Sequence, residues 1–357
     1  MDIETRKEAF IRLGEILRTF AAGPEVKSPD HEYHKMLQGA VEKAGIANPW
    51  FTTFSVREAL NSIGSNLRKK HLEKWAGQYP ELGKLYGPPQ KIGVVNAGNI
   101  PFVGFHDFLS VLLSGNIYYG KLSSKDEHLP KAIATIISDI EPEFRERILF
   151  EKKFLKQFDA IIATGSNNTS RYFHYYFSRY PHIIRKNRNG VAVLTGAEDD
   201  GELARLADDI FLYFGMGCRN VSKLYVPEDF NLDRLFSNME HYRWTIDNHK
   251  YSNNYDYNKA IYTMNLVSHL DNGFLLLRED EQIASPISTL HYERYHNLNE
   301  VRNALDQKKP QIQCIVSHSE KFPEAMDFGQ AQYPPLWDYA DNLDTMRFLT
   351  SLNNSSH

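Results

Sequence analysis

Lys91-Ile92-Gly93-Val94-Val95-Asn96-Ala97-Gly98-Asn99-Ile100-Pro101 is the stretch on which the fold turns. Residues 91–96 form a short apolar run with the length of a strand, and residues 97–101 break it as a loop. Apolar periodicity then predicts a helix over 102–114, a second strand over 117–122 and a helix over 128–140. Strands at 147–150 and 159–163 follow, the latter leading into Thr164-Gly165-Ser166 and a helix over 167–178. Strand–loop–helix alternation of this kind argues an α/β fold, a parallel sheet covered by helices on both faces. Ligands of such sheets bind beyond the carboxyl ends of the strands, and both Asn99 and Gly165-Ser166 fall there.

Upstream, residues 4–21, 31–45, 55–69 and 70–80 read as an N-terminal helical layer, punctuated by Gly23-Pro24 and Asn48-Pro49. His31 and His34 invite a metal reading, but no further ligand cluster accompanies them, so they read as a solvated helix face. Downstream, a second α/β set is predicted: strands at 191–195, 223–226, 287–292 and 312–316, with helices at 200–214 and 298–307. The segment 236–262, dense in Tyr, Asn and His, yields no assignable order. Residues 353–357 are expected to be disordered.

The 357 residues suit two domains of ordinary size, and 42% hydrophobic with 24% charged residues describes a soluble globular protein. A net charge of −4 offers no broad basic surface for nucleic acid or anionic membrane. Two cysteines, Cys218 and Cys314, make no disulfide framework. No apolar signal core or membrane-length run is present, and the expected location is the cytoplasm.

Cys218 lies in Phe214-Gly215-Met216-Gly217-Cys218-Arg219-Asn220. Flanking glycines let backbone approach the sulfur, leaving room for a substrate carbonyl and for amide donors to a tetrahedral oxyanion. Taken alone, a cysteine behind glycine is more often a small buried hydrophobe than a nucleophile. Cys314, within the apolar run 312–316, reads as packing.

Four segments, in order, resemble the aldehyde dehydrogenase superfamily over residues 90–317. Asn99-Ile100-Pro101 resembles that family's Asn-Phe-Pro, whose Asn forms half of the oxyanion hole. Gly115-Asn116-Ile117-Tyr118-Tyr119-Gly120-Lys121-Leu122-Ser123-Ser124 resembles its Gly-Asn-x-x-x-x-Lys-Pro-Ser-Glu, where Lys holds the adenosine ribose. Thr164-Gly165-Ser166 matches its Thr-Gly-Ser at the cofactor pyrophosphate, and Gly217-Cys218 its thiol loop. The resemblance implies two parallel-sheet α/β domains with the active site in the cleft between them. It implies a dinucleotide-binding domain over 1–189, completed by 318–357, and a catalytic thiol domain over 190–317.

The departures point to one branch. The family's Glu-Leu-Gly-Gly, whose acid activates water, corresponds to Ile184-Arg185-Lys186-Asn187-Arg188-Asn189-Gly190, which has no acid. Its Glu-Ile-Phe-Gly-Pro, gripping the nicotinamide ribose, corresponds to Gln282-Ile283-Ala284-Ser285-Pro286. With the tail Gly329-Gln330-Ala331-Gln332-Tyr333-Pro334, these resemble the acyl-CoA reductase branch. That resemblance implies reduction of a long-chain acyl-CoA or other acyl thioester to an aldehyde through a Cys218 acyl-enzyme, with Asn99 as oxyanion donor. It places Lys121, Ser123, Ser124, Gly165, Ser166 and Gln282 at the cofactor. Ser124 stands where NAD-preferring relatives carry an acid, and Lys125 follows it, so NADPH is expected, with NADH as the alternative. No metal is expected; a second copy of the chain or an acyl-donating enzyme are the candidate protein partners. The competing readings are an aldehyde dehydrogenase oxidising aldehydes with NAD(P) and a catalytically silent protein of the same fold.

Overall fold

The computed structural model describes residues 1–23, 29–84 and 88–354. Helices α1 (Ile3–Ala21), α2 (His31–Ala47), α3 (Thr53–Asn66) and α4 (Lys69–Ala76) come first. α1 begins where Asp2 accepts the Thr5 N–H at 2.8 Å, and it buries Phe10, Leu13, Ile16, Leu17 and Phe20 along one stripe. Gly23 follows α1 as expected of a helix stop, while Pro24 lies outside the described residues.

Next come β1 (Lys91–Val95), α5 (Phe105–Leu113), β2 (Ile117–Lys121), α6 (His128–Ile140), β3 (Ile148–Phe150), β4 (Ala160–Thr164), α7 (Asn167–Phe177) and β5 (His182–Arg185). The five strands are all parallel, in the order β3-β2-β1-β4-β5. The chain fills one half of the sheet from β1 to β3, then crosses to the other side with β4. The order therefore reverses between β1 and β4, and there the connecting loops diverge to leave a crevice.

A second sheet is built from β6 (Asn189–Val193), α8 (Asp200–Phe211), β7 (Val221–Pro227), α9 (Leu232–Asn238), α10 (His249–Met264), β8 (Leu270–Asp271), β9 (Leu276–Glu279), β10 (Thr289–Tyr295), α11 (Leu298–Lys308) and β11 (Ile312–Val316). Its order is β11-β6-β7-β10-β9-β8, parallel except for the two-residue edge strand β8. α12 (Thr345–Asn354) closes the described chain.

Two compact units result: Met1–Lys186 with Pro335–His357, and Asn187–Pro334. Residues 318–334, grouped with the first domain in the sequence reading, stay with the second unit for a definable reason. Met326 exchanges backbone hydrogen bonds with Ile315 and Ser317, and the N–H groups of Gly329 and Ala331 both donate to Asp209 on α8. The chain returns to the first unit only after Pro334. There the Trp75 indole N–H donates to the Tyr339 hydroxyl at 2.7 Å, and Tyr79 donates to Asp344 at 2.9 Å. Arg185 pairs with Asp107 at 2.6 Å and donates to Thr345 at 2.7 Å.

Other departures have local causes. The segment 236–262 is ordered as the end of α9, a 3₁₀ turn (Glu240–Asp247) and most of α10, which Asn248 caps by accepting from Lys250 and Tyr251. Residues 353 and 354 complete α12 instead of fraying, while 355–357 lie outside the described residues. Among the described residues no helix is long and apolar enough to cross a membrane.

Candidate active site

Cys218 is half-buried, on the connection from α8 to β7. The predicted helix over 200–214 stops at Phe211 because Tyr213 and Phe214 adopt left-handed backbone (φ 56° and 57°), followed by Gly215 at φ 73°. Left-handed geometry costs a non-glycine residue about 1–3 kcal/mol, so surrounding structure must impose it. Both rings are buried, with Phe214 meeting Trp244 and Tyr251 edge-on or tilted. Asn220 supplies the rest. Its side-chain amide donates to the Asp209, Ile210 and Leu212 carbonyls at 3.0, 3.2 and 2.8 Å, satisfying the end of α8. Its carbonyl accepts the Gly217 N–H at 2.7 Å.

Two further contacts hold this loop. A Cβ on Gly190 would sit 2.5 Å from the Arg219 carbonyl oxygen, so β6 approaches the thiol loop as only glycine allows. Cys314 is buried, and its thiol donates to the same Arg219 carbonyl at 3.6 Å. It packs, as expected, but against the residue after Cys218. One turn back on α8, fully buried Asp209 receives the two N–H groups of the 329–331 tail; burial pushes its carboxyl up to about 7 against those hydrogen bonds. Because Cys218 precedes β7, it lies at the amino end of its sheet, where the carboxyl-end rule gives no pointer to it.

In the first unit Asn99 is exposed on the loop after β1. That loop is fixed from both sides. A Cβ on Gly98 would meet the Ser123 hydroxyl at 2.4 Å, so Ser123 is packed against the residue before Asn99. Beyond Pro101, Phe102 takes a left-handed backbone (φ 57°) and donates its N–H to Asp126 at 2.8 Å. Asp126 is 4% exposed, with its second oxygen unpartnered, and burial pushes its carboxyl up to about 7.

A cleft of about 930 Å³ opens at the carboxyl ends of β1, β2 and β4, where the strand order reverses. Lys121 and Gly165 line it together, with Asn96, Ala97 and Thr164 from the strand ends. Its walls are the β3–β4 loop, including Lys153, Phe154 and Lys156, and the aromatic face of α7, with Tyr172, Phe173 and Tyr176. Ser166, next to lining Gly165 but not itself among the lining residues, is the N-cap of α7 and accepts the Thr169 N–H at 3.2 Å. Volume, cationic lining and aromatic lining suit a nucleotide: the size falls within the ~300–1,000 Å³ of small-molecule sites. Ser124 and Lys125 are exposed and are not among the lining residues.

Gln282 belongs to the second unit, in the loop after β9, with an exposed side chain. Its backbone is fixed: its N–H donates to Asp280 at 2.9 Å and its carbonyl lies 3.0 Å from the His291 ring nitrogen. His34 is 3.1 Å from the Thr19 hydroxyl, and no group of three metal-capable side chains occurs among the described residues. Asn220, Gly190, Asp209 and Asp126 were not singled out by motif reading, since each acts through a partner distant in sequence. The loop 151–158 did carry a readable signal, Lys152-Lys153-Phe154-Leu155-Lys156, a cationic and aromatic run between two strands.

Two parallel-sheet units, one with a crevice at its strand-order reversal and the other carrying a thiol on a braced loop, give the aldehyde dehydrogenase fold. PutA from Anabaena variabilis matches 98% of this chain and 90% of its own at 12% identity (TM-score 0.66). The NAD-dependent aldehyde dehydrogenase of Sinorhizobium meliloti matches over 92% and 74% at 11% identity (TM-score 0.62). The P. syringae indole-3-acetaldehyde dehydrogenase AldA, solved with NAD⁺, matches over 92% and 78% at 13% identity (TM-score 0.60). At such identities the likeness speaks to fold alone. No curated protein matches the chain. The family model for acyl-CoA reductase (LuxC) matches residues 39–327, and the chain belongs to that family.

Proposed function

We propose that the protein reduces an acyl thioester, a long-chain acyl-CoA or an equivalent carrier-bound acyl group, to the aldehyde, using NADPH. The observation that carries this reading is the half-buried Cys218 on a loop locked by Asn220, in a chain of the acyl-CoA reductase family. In this reading the Cys218 thiolate attacks the thioester carbonyl. The carbon–sulfur bond to the carrier then breaks, leaving a carrier thiolate and an acyl-enzyme. A nicotinamide held through the first unit's cleft would supply the hydride. The reduced carbon keeps its oxygen as the aldehyde, the carbon–sulfur bond to Cys218 breaks, and the thiolate is restored. No residue has to deprotonate water, which accords with the segment 184–190 lacking an acid.

Asn99 and the Cys218 N–H are the assigned oxyanion donors. Lys121 serves the adenosine ribose, and Ser123 acts by packing beneath the Asn99 loop. Gly165 and Ser166 serve the pyrophosphate at the α7 N-terminus, and Gln282 the nicotinamide ribose.

The test is Cys218→Ser. Incubation of wild type with acyl-CoA alone should add one acyl group to Cys218 by mass spectrometry, and NADPH should then release aldehyde. The Ser variant should show neither, yet bind NADPH with unchanged affinity, because an alcohol is far less ionised than a thiol. Wild-type turnover by the Ser variant would remove Cys218 as nucleophile.

A further inference from the structure

The cations that face the first unit's cleft are not those next to Ser124. Lys125 is exposed; its N–H donates to the Ser123 hydroxyl at 3.3 Å, and its Cβ lies beside Gly98. Lys153 and Lys156, in contrast, line the cleft from the β3–β4 loop. The one acid of that loop, Glu151, turns its carboxylate back onto the loop, accepting the Lys153 N–H at 2.9 Å and the Tyr119 hydroxyl at 3.5 Å. Neither lysine ammonium is ion-paired among the described residues. Two ammonium groups of one loop therefore line the same cleft as Lys121, Tyr172 and Tyr176; Arg179, which also lines it, lies over the Tyr180 ring at 5.1 Å.

We propose that residues 151–158 form the subsite for a phosphomonoester on the adenosine ribose, with Lys153 and Lys156 receiving the 2′-phosphate of NADPH in place of Lys125. The inference rests on the reading of this cleft as the nicotinamide-dinucleotide site. A 2′-phosphate is close to a dianion at neutral pH, with three oxygens that accept charge-assisted hydrogen bonds. With an adenine ring against the α7 tyrosines, Lys121 would be available to the ribose hydroxyls and the two loop lysines to the substituent. The same chemistry exists on coenzyme A, whose phosphomonoester is on the 3′ oxygen, and the test separates the two.

The experiment is calorimetric titration of the full chain with 2′,5′-ADP, 3′,5′-ADP and 5′-ADP, without turnover. Wild type should bind 2′,5′-ADP about tenfold to a hundredfold more tightly than 5′-ADP. In Lys153→Gln/Lys156→Gln that ratio should fall to within about threefold while 5′-ADP affinity is kept, and Lys125→Gln should leave it unchanged. Thermal melting of each variant checks folding, which exposed lysines should not disturb. A ratio that survives in the double variant, or that collapses in Lys125→Gln, overturns the assignment. Equal binding of 2′,5′-ADP and 5′-ADP by wild type, or a preference for the 3′ isomer, also overturns it while leaving the cleft a nucleotide site. Failure of all three nucleotides to bind would instead overturn the dinucleotide reading, and the subsite with it.

Discussion

Asn99 and Asn220 illustrate two ways in which one residue type serves a site. Asn220 is buried and fully engaged, its amide closing α8 and its carbonyl holding Gly217. Asn99 is exposed on a loop that Ser123 and Asp126 stiffen from either side. In the proposed reaction Asn99 donates to charge that develops only as the carbonyl is attacked, so Asn99→Ala should lower kcat by ~10²-fold with little change in KM. Steady-state kinetics with acyl-CoA decide it; a change confined to KM would reduce Asn99 to shaping the binding site. At this scale the sequence singled out residues carried by short-range motifs, Asn99, Lys121, Gly165 and Cys218, and of these Lys121 and Gly165 line one cleft. It did not disclose the supports. Asp126 contacts Phe102 across 24 positions and Asp209 contacts Gly329 across 120, and such pairings exist only once the chain is folded.

Elements were more legible where periodicity was strong and less so where a turn was forced from outside. α6 has the ends its spacing predicts, His128–Ile140, because Leu129, Ile133, Ile136 and Ile137 form one buried face. α8 ends three residues early, since Asn220, eight or more positions later, takes over its last carbonyls and bends the chain. β5 was not predicted: its four residues, His182–Arg185, are too few to register a two-residue alternation. The closeness of β6 to the thiol loop gives a prediction at this scale. Gly190→Ala forces a Cβ into the Arg219 carbonyl, a backbone atom that can yield only if the loop moves. We expect a loss of roughly 2–4 kcal/mol in stability and a larger loss of the proposed Cys218 acylation than of the proposed dinucleotide affinity. Denaturant unfolding and acyl-enzyme mass spectrometry measure the two; unaltered acylation would show that β6 does not position the thiol.

For the whole molecule, each unit buries one carboxyl whose proton is held up to about pH 7: Asp126 in the first and Asp209 in the second. In the unfolded chain both lose that proton near the ordinary value of 3.8. Between those limits these two groups bind more protons in the folded state than in the unfolded one, so their contribution to stability falls as pH rises from about 4 to 7 and levels above it. His291, whose pKa burial lowers, contributes in the opposite direction. Asp126→Asn removes one of the two contributions while keeping an acceptor for the Phe102 N–H. It should be more stable than wild type at pH 8 by on the order of a few kcal/mol, and nearly equal to it at pH 4. Urea unfolding at the two pH values tests this; a wild-type slope retained in the variant would place the titration elsewhere.

The first unit is interrupted by the second, and that has a consequence for how the chain is made. On the ribosome, residues 187–334 emerge before α12, so the second sheet can close while the first still lacks its last helix. At 5–20 residues per second the delay is on the order of 10 s. During it Trp75 and Tyr79 have neither Tyr339 nor Asp344, and the side of α5 that α12 covers is open to water. A nascent chain of this protein thus exposes apolar surface of its first unit until α12, whose Met346 and Leu349 are fully buried in the finished fold, arrives.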